Sequence, residues 1–427
     1  MKAATRSLTL PGWTILGAVT CLFLIGLATI YVTDTHVRPG HDGPYNAKKQ
    51  LIFMAGGVVA GAFVLRIGYR RIGRHAYAIF LAVLVLLIPL LIARMTHTTF
   101  GGLIPSRRNA YRWIQLPVFQ LQPSEFMKIA YILALAWYLR YRRNYRRFGG
   151  LVRPLLASAI PLMLILRQPD LGTCMIMLPV LFIMLFLAGA KSSHLAIILA
   201  IALAAAPLAW AQIHRYQRLR IAAVLLQSDS LREAIAKSPH DRYAFLASKR
   251  DAVEWAASSG YQLLASKTAI GSGGVFGHGW GRGPYVERQF LPDRHNDLIF
   301  AVIAHQWGMI GCLVVLAAYA AIIVAGAVIA SQTREPFGRL LAVGVIALLA
   351  TQITINIGMA VGLMPITGMN LPFVSYGGSS LLSNFLACAL LISVSQRRPY
   401  LLSRRPFDFM PRRVRRLIYD AEVCAEE

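Results

Sequence analysis

Long apolar runs broken by short polar turns dominate this chain, and their length decides the solvent in which it folds. A hydrocarbon core of ~30 Å needs roughly 20 apolar residues per helix. About ten runs meet or approach that length, over residues 11–32, 51–67, 76–93, 125–139, 153–166, 172–189, 195–213, 297–328, 339–362 and 380–395. The fourth and fifth are short. None alternates with the period of two that a lipid-facing barrel strand shows, so the pattern predicts an all-α polytopic membrane protein with about ten transmembrane helices. One large hydrophilic segment, 214–296, falls between the seventh and eighth helices. The first run follows only Lys2 and Arg6 and has no small-residue cleavage site, which predicts a retained helix rather than a removed signal peptide.

Composition agrees with that class: 56% of the 427 residues are hydrophobic and 15% charged, with a mean hydropathy of +0.55, too apolar for a water-soluble chain of this length. The formal net charge of +26 raises nucleic acid as a partner, but the placement of the charges argues for topology instead. Arg66, Arg70, Arg71 and Arg74 lie between the second and third runs, and Arg140, Arg142, Arg143, Arg146 and Arg147 between the fourth and fifth. Arg397, Arg398, Arg404, Arg405, Arg412, Arg413, Arg415 and Arg416 follow the last run. Basic loops stay inside, so both termini are expected in the cytoplasm of a cell whose inner membrane holds the chain. Attraction to anionic lipid then accounts for the surplus charge, and no nucleic-acid partner is expected.

Residues 1–396 therefore read as one transmembrane unit that includes the 214–296 extracytoplasmic loop, followed by a basic cytoplasmic tail, 397–427. The segments expected to face outward are 33–50, 94–124, 167–171, 214–296 and 363–379. Cys21, Cys174, Cys312 and Cys388 sit inside apolar runs and Cys424 in the tail, with no zinc-site spacing. Neither a disulfide nor a thiolate metal site is expected.

Within the large outer loop, residues 228–258 mix charge with Leu231, Ile235, Phe245, Leu246, Val253 and Trp255, which predicts amphipathic helices lying on the membrane or a partner. The stretch Gly271–Gly283 carries glycines in several spacings. No Lys-Ser/Thr follows and there is no βαβ context, so nucleotide binding is excluded. Close backbone approach to a bulky ligand or an adjoining helix is the physical use that remains.

Asp297 stands immediately before an apolar run. An Asp in that place most often caps the helix, and the same position offers catalysis. A carboxylate at a helix N-terminus is held ionised by the helix dipole, here beside Arg294 and Lys267, and can take a proton from a sugar hydroxyl as a phosphate-bearing group departs. Gln122-Pro123-Ser124 makes a helix start, after which Glu125 and Lys128 share one face. They form either a local ion pair or, being ionised within a span, a functional pair. Asp170, in the polar break Gln168–Thr173, is a candidate cap for the sixth run. Residues 364–380 hold two prolines and three glycines with no charge; uncharged irregular backbone at this depth predicts a re-entrant cavity wall.

In order and spacing these pieces resemble the SEDS family of shape, elongation, division and sporulation proteins. Arg112-Trp113, Gln122-Pro123-Ser124-Glu125 with Lys128, and Gln168-Pro169-Asp170-Leu171-Gly172-Thr173 resemble its first half. Ser266-Lys267, Ala269–Gly274, the stretch from Leu291-Pro292 to Phe300, and Pro372-Phe373 with Ser375–Ser379 resemble its second. The Ser266-Lys267 pairing resembles the branch serving cell elongation more than the one serving division. The resemblance implies a peptidoglycan glycosyltransferase that joins lipid II units through β-1,4 bonds and releases undecaprenyl diphosphate, with Asp297 as the catalytic aspartate. It carries substrate-binding roles to Glu125, Lys128, Asp170, Ser375 and Ser379. Lys128, with Arg112 or Lys267, would neutralise the departing diphosphate. It also implies a class B penicillin-binding protein as partner. No metal site or cofactor is evident, and a divalent cation stays open. Lipid II flipping without polymerisation, a division role, and transfer to another polyprenyl-linked glycan are the competing readings. The family's Leu-Pro-Glu, His-Thr-Asp-Phe and Glu-Glu stand here as Leu291-Pro292-Asp293, His295-Asn296-Asp297-Leu298 and His305-Gln306.

Overall fold

The computed structural model describes residues 8–35, 45–106, 111–116, 119–141, 144–212, 215–238, 245–257, 260–287 and 296–396. The basic tail and the first seven residues fall outside that set. The first half of the chain contains α1 (Leu10–Thr35), α2 (Tyr45–Ile67), a short α3 (Tyr69–Arg74), α4 (Ala76–Thr96), α5 (Pro123–Leu139), α6 (Phe148–Arg167), α7 (Leu171–Leu187) and α8 (Ser192–Gln212). The outer segment adds α9 (Arg215–Leu225), α10 (Asp229–Lys237), α11 (Lys249–Val253), α12 (Tyr261–Ser272) and α13 (Pro284–Glu287). The last three long helices are α14 (Ile299–Gln332), α15 (Pro336–Val361) and α16 (Gly378–Gln396). Ten long helices thus take up the ten apolar runs one for one, and seven of them are long and apolar enough to cross a bilayer unaided. α5 and α7 have 17 residues each, about 26 Å at 1.5 Å per residue. A two-residue hairpin, β1 (Ile114–Gln115) against β2 (Gln120–Leu121), is the only sheet among the described residues.

The bundle is built around α15 and α16, whose most apolar stretches are 72% and 78% buried, against 22% for α2 and α4 on the lipid side. α15 packs on α5, α7, α12, α14 and α16. Lipid tails are as apolar as leucine, so helices in a bilayer associate by close fit rather than by hydrophobic force. Accordingly a Cβ at Gly57 on α2 would overlap the Phe385 ring of α16, and one at Gly344 on α15 would press on Ile132 of α5. Asp34 ties the outer ends of α1 and α2 together by accepting from Asn46 N at 2.9 Å and Ala47 N at 3.0 Å.

α14 comprises two helical stretches that meet at a break at Gly308, where φ is 61° and ψ −155°. The glycine stretch 271–283 fills that break. His278 N donates to His305 O and Gly279 N to Gln306 O, each at 3.0 Å, while Met309 N donates to Gly274 O at 3.0 Å. These bonds use backbone groups that the interrupted helix cannot pair internally. Side chains at Gly273, Gly277 or Gly308 would run into the facing backbone. The glycines therefore serve an adjoining helix, not a bulky ligand. A Gly308→Ala substitution is expected to cost about 1–3 kcal/mol through its backbone conformation, read as a lowered thermal midpoint in detergent. Gly17→Ala, in open space on α1, is the control that should not lower it.

The amphipathic reading of 228–258 is corrected in its target. Ile235, Ala252 and Trp255 are buried with Ala222, Ala223, Leu226 and Leu263 in a small core of the chain's own, and Trp255 Nε1 donates to Ala223 O at 3.1 Å. Their apolar face is consumed inside the protein rather than laid on the membrane. Phe245 and Val253 remain exposed.

Candidate active site

Three helices fix the side on which the site lies. α2, α5 and α16 each begin at one cavity and run away from it, α2 toward Arg66–Arg74 and α5 toward Arg140–Arg147, while α16 ends where the basic tail begins. The cavity, about 1160 Å³, therefore opens on the face opposite the arginine-rich turns. All five segments expected to face outward supply part of its wall, including Lys49, Arg112, Asp170, Arg220 and Gly368, and Glu125 and Asp297 join it from just beyond two of them.

Asp297 reaches this wall from the turn before α14. The capping expectation does not hold: Leu298 takes the N-cap position, and no side chain caps the helix. Its backbone is instead fixed from two sides. Asn356 Nδ2, on α15, donates to Asp297 O at 3.1 Å and to Met369 O at 2.6 Å. Ser375 Oγ donates to Asn296 O at 2.6 Å and accepts from Leu371 N at 2.8 Å. Ser375 thus holds the chain beside Asp297 and does not itself line the cavity.

The expected re-entrant wall is present: residues 363–377 form no helix or strand, and Thr367–Asn370 and Tyr376–Gly377 face the cavity. Buried Phe373 adopts a left-handed backbone with φ of 65°, a conformation that persists only where surroundings enforce it. Tyr319 OH donates to Pro372 O at 2.6 Å and Gln50 Nε2 to Ser375 O at 3.1 Å, which supply that enforcement.

Gln122 is the N-cap residue of α5 and Pro123 its first residue, so the helix start falls where the sequence places it. Lys128 Nζ meets Glu125 Oε2 at 2.8 Å, with the lysine side chain only 2% exposed. Ser383 Oγ also donates to that carboxylate at 3.3 Å. Ser379 Oγ, from α16, donates to Gln120 O at 2.8 Å and accepts from Gln122 N at 3.0 Å, pinning the hairpin over the cavity.

Asp170 caps α7, accepting from Thr173 N at 3.2 Å and Thr173 Oγ1 at 2.9 Å, and it also accepts from Ser124 Oγ at 3.0 Å. Burial alone would raise its carboxyl, but the Arg112 charge and the Thr173 and Ser124 hydrogen bonds more than offset this and hold it below the usual carboxylate range. A depressed value means a contribution to stability that is complete at neutral pH and fades as pH falls below the unfolded value of ~3.9 toward the folded one. Asp170→Asn is therefore expected to lower the thermal midpoint at pH 7, with the gap to wild type narrowing below about pH 4.

Arg112 Nε donates to Gln168 O at 3.1 Å, and Nη2 donates to Pro169 O, so this cation also shapes the turn that carries Asp170. Lys267 does not reach the cavity. Its Nζ donates to Gln227 Oε1 at 3.0 Å. Arg294 lies outside the described residues. Two cations that sequence reasoning passed over line the cavity, Lys49 and Arg220. Arg220 Nη1 and Asp297 Oδ2 lie 3.8 and 3.5 Å from the point where a Cβ would sit on Gly368, so the guanidinium and the carboxylate are gathered beside one glycine. Asn356 was also passed over; its signal was an amide in the middle of an apolar helix.

A polytopic bundle with a polar, carboxylate-bearing cavity at the helix ends opposite the arginine-rich turns defines an integral-membrane protein with a site at the bilayer surface. The chain belongs to the cell cycle protein family of FtsW, RodA and SpoVE, whose family model matches residues 13–400. It is 33% identical over 386 residues to a Geobacter metallireducens protein named probable peptidoglycan glycosyltransferase FtsW, covering 89% of this chain and 92% of that one. It is also 33% identical over 296 residues to the Escherichia coli peptidoglycan glycosyltransferase MrdB, covering 69% and 73%. Among solved structures, one describing polymerization and crosslinking by a peptidoglycan synthase complex superimposes with a TM-score of 0.69 at 25% identity, covering 91% of this chain and 98% of that one.

Proposed function

We propose that this protein is a peptidoglycan glycosyltransferase that polymerises lipid II at the outer face of the inner membrane, with both termini in the cytoplasm. The observation that carries the reading is Asp297, fixed by its backbone at the wall of a cavity that opens where prenyl-anchored substrates would lie. Asp297 takes the proton from the 4-hydroxyl of the acceptor N-acetylglucosamine as its oxygen bonds to the anomeric carbon of the donor, and the bond from that carbon to undecaprenyl diphosphate breaks. General-base help of this kind contributes ~10²–10⁴-fold.

Neutralising the departing diphosphate falls to the cations of the cavity wall, among them Arg220, which lies with Asp297 beside Gly368, and Lys49. A guanidinium suits that task because its planar donors match two phosphate oxygens at once. Lys128 and Arg112 act from deeper in the wall. Each is already engaged, the first by Glu125 and the second by the carbonyls of Gln168 and Pro169.

Purified protein supplied with lipid II tests the reading: glycan polymer is the expected product, and lipid II crossing proteoliposome membranes without any polymer would overturn it in favour of a flippase. A class B penicillin-binding protein partner is in keeping with the synthase complex to which the fold is similar. The elongation role rests on Ser266-Lys267 before Ala269-Ile270-Gly271. A division role is favoured by the broader coverage of the relatives named FtsW. Rescue of a strain depleted of its elongation polymerase, without rescue of one depleted of its division polymerase, supports the first.

A further inference from the structure

Three side chains beside Asp297, those of Asn296, Gln352 and Asn356, carry a buried polar atom for which the described residues supply no partner, and the first two line the cavity. Gln352 lies on α15 with 2% of its surface exposed and lines the cavity, and its Oε1 is buried and accepts no hydrogen bond. Asn296, next to the base in the chain, lines the same cavity, and its Oδ1 is likewise buried and unpaired. Buried polar atoms in folded proteins are almost always paired, so an orphan on a residue of a cavity wall points to a group that arrives from outside. The two are placed in register with the base. Asn356 holds the Asp297 carbonyl, and Gln352 sits four residues before it, on the same face of α15 and one turn or ~6 Å along the helix.

The chemistry selects the visitor. Both orphans of the cavity wall are carbonyl oxygens, which require a donor. A phosphate oxygen at neutral pH only accepts, so these positions do not suit the diphosphate. They suit neutral hydroxyl groups. On the acceptor sugar of the proposed reaction, the reactive 4-hydroxyl is flanked by a hydroxyl at carbon 3 and another on carbon 6. We propose that Asn296 and Gln352 form a saccharide-reading subsite that accepts hydrogen bonds from these two flanking hydroxyls, setting the 4-hydroxyl against Asp297. This rests on the polymerase reading and deepens it.

A site built to pair with a hydroxyl discriminates strongly against an analogue that lacks it, because its own polar group is then left unmet. The test uses the full-length protein with lipid II and with two analogues whose N-acetylglucosamine lacks either the 3-hydroxyl or the 6-hydroxyl. Wild type is expected to lose at least tenfold in kcat/KM on each analogue. Gln352→Met and Asn296→Ala should each be slower on lipid II, yet lose no more than about twofold further on one of the analogues, a different one for each variant. Asn296→Thr is the second variant at the less buried position, and it should narrow the same discrimination as Asn296→Ala. Wild-type discrimination retained in every variant, or equal losses on all three substrates, would overturn the subsite. Polymer formed from both deoxy analogues as fast as from lipid II would do the same while leaving the polymerase reading intact. Absence of polymer from lipid II itself would sink that reading, and the subsite with it.

Discussion

Asp297→Asn is expected to lower lipid II polymerisation by ~10²–10⁴-fold while leaving solubilised yield and thermal midpoint close to wild type. The structure separates the two effects. The helix that follows is capped at Leu298 without a side-chain hydrogen bond, so the carboxylate does not hold the start of α14. What holds the turn is Asn356 Nδ2 on the Asp297 carbonyl and Ser375 Oγ on the Asn296 carbonyl, and asparagine retains both carbonyls. What is removed is the carboxylate's charge, beside Arg220, and with it the ability to accept a proton. Polymer yield, midpoint and lipid II transbilayer movement measured on one preparation check the prediction. An asparagine variant that polymerises at the wild-type rate would show that another group takes the proton. Ser375→Ala probes the support instead. It removes the tie to Asn296 and should reduce turnover together with order around the turn, without removing the base.

The bundle was legible because its signal is simple. A helix in a bilayer must satisfy its own backbone and present apolar side chains over a fixed length, and every apolar run became one long helix. Less legible was what breaks that rule. The run 297–328 reads as one span, yet Gly308 divides α14, because loop residues 274–279 supply the hydrogen bonds that the interrupted helix needs. A glycine in an apolar run carries no local mark of a partner thirty residues away. The stretch 228–258 shows the reverse case. Its amphipathic period was real, but the period says only that one face needs cover, and the cover came from α9, α12 and the chain near Ile366.

Much the same division applies to the cavity. Glu125, Lys128, Asp170 and Asp297 stand out as charges at the ends of apolar runs, and the structure brings them to one wall. Charge alone did not separate Arg220 from Lys267. The two lie on different helices of one hydrophilic segment, and only packing decides that the first faces Gly368 and the second Gln227. Gln352 and Asn356 were hidden by their length of apolar context. An amide in a transmembrane helix is costly enough to deserve a reason, and here the reasons are the Asp297 carbonyl for one and the cavity for the other.

Lys128→Met is expected to destabilise the protein by ~3–5 kcal/mol, the usual result of leaving one member of a buried ion pair uncompensated. Lys128 is 2% exposed and Glu125 12%, so water reaches the pair only from the cavity side. The single variant would therefore fold poorly, and its inactivity would say nothing about chemistry. Glu125→Gln combined with Lys128→Met removes both charges, and replacing a buried pair by neutral groups is close to neutral for stability. Folded yield and thermal midpoint should accordingly return in the double variant. Turnover is the informative quantity. If the lysine contributes positive charge to the departing diphosphate, the recovered double variant polymerises far more slowly than wild type, since the cavity has lost a cation that Arg220, beside Gly368, does not replace. If turnover returns along with folding, the pair serves only to seat α5, and the diphosphate is met by Arg220 and Lys49.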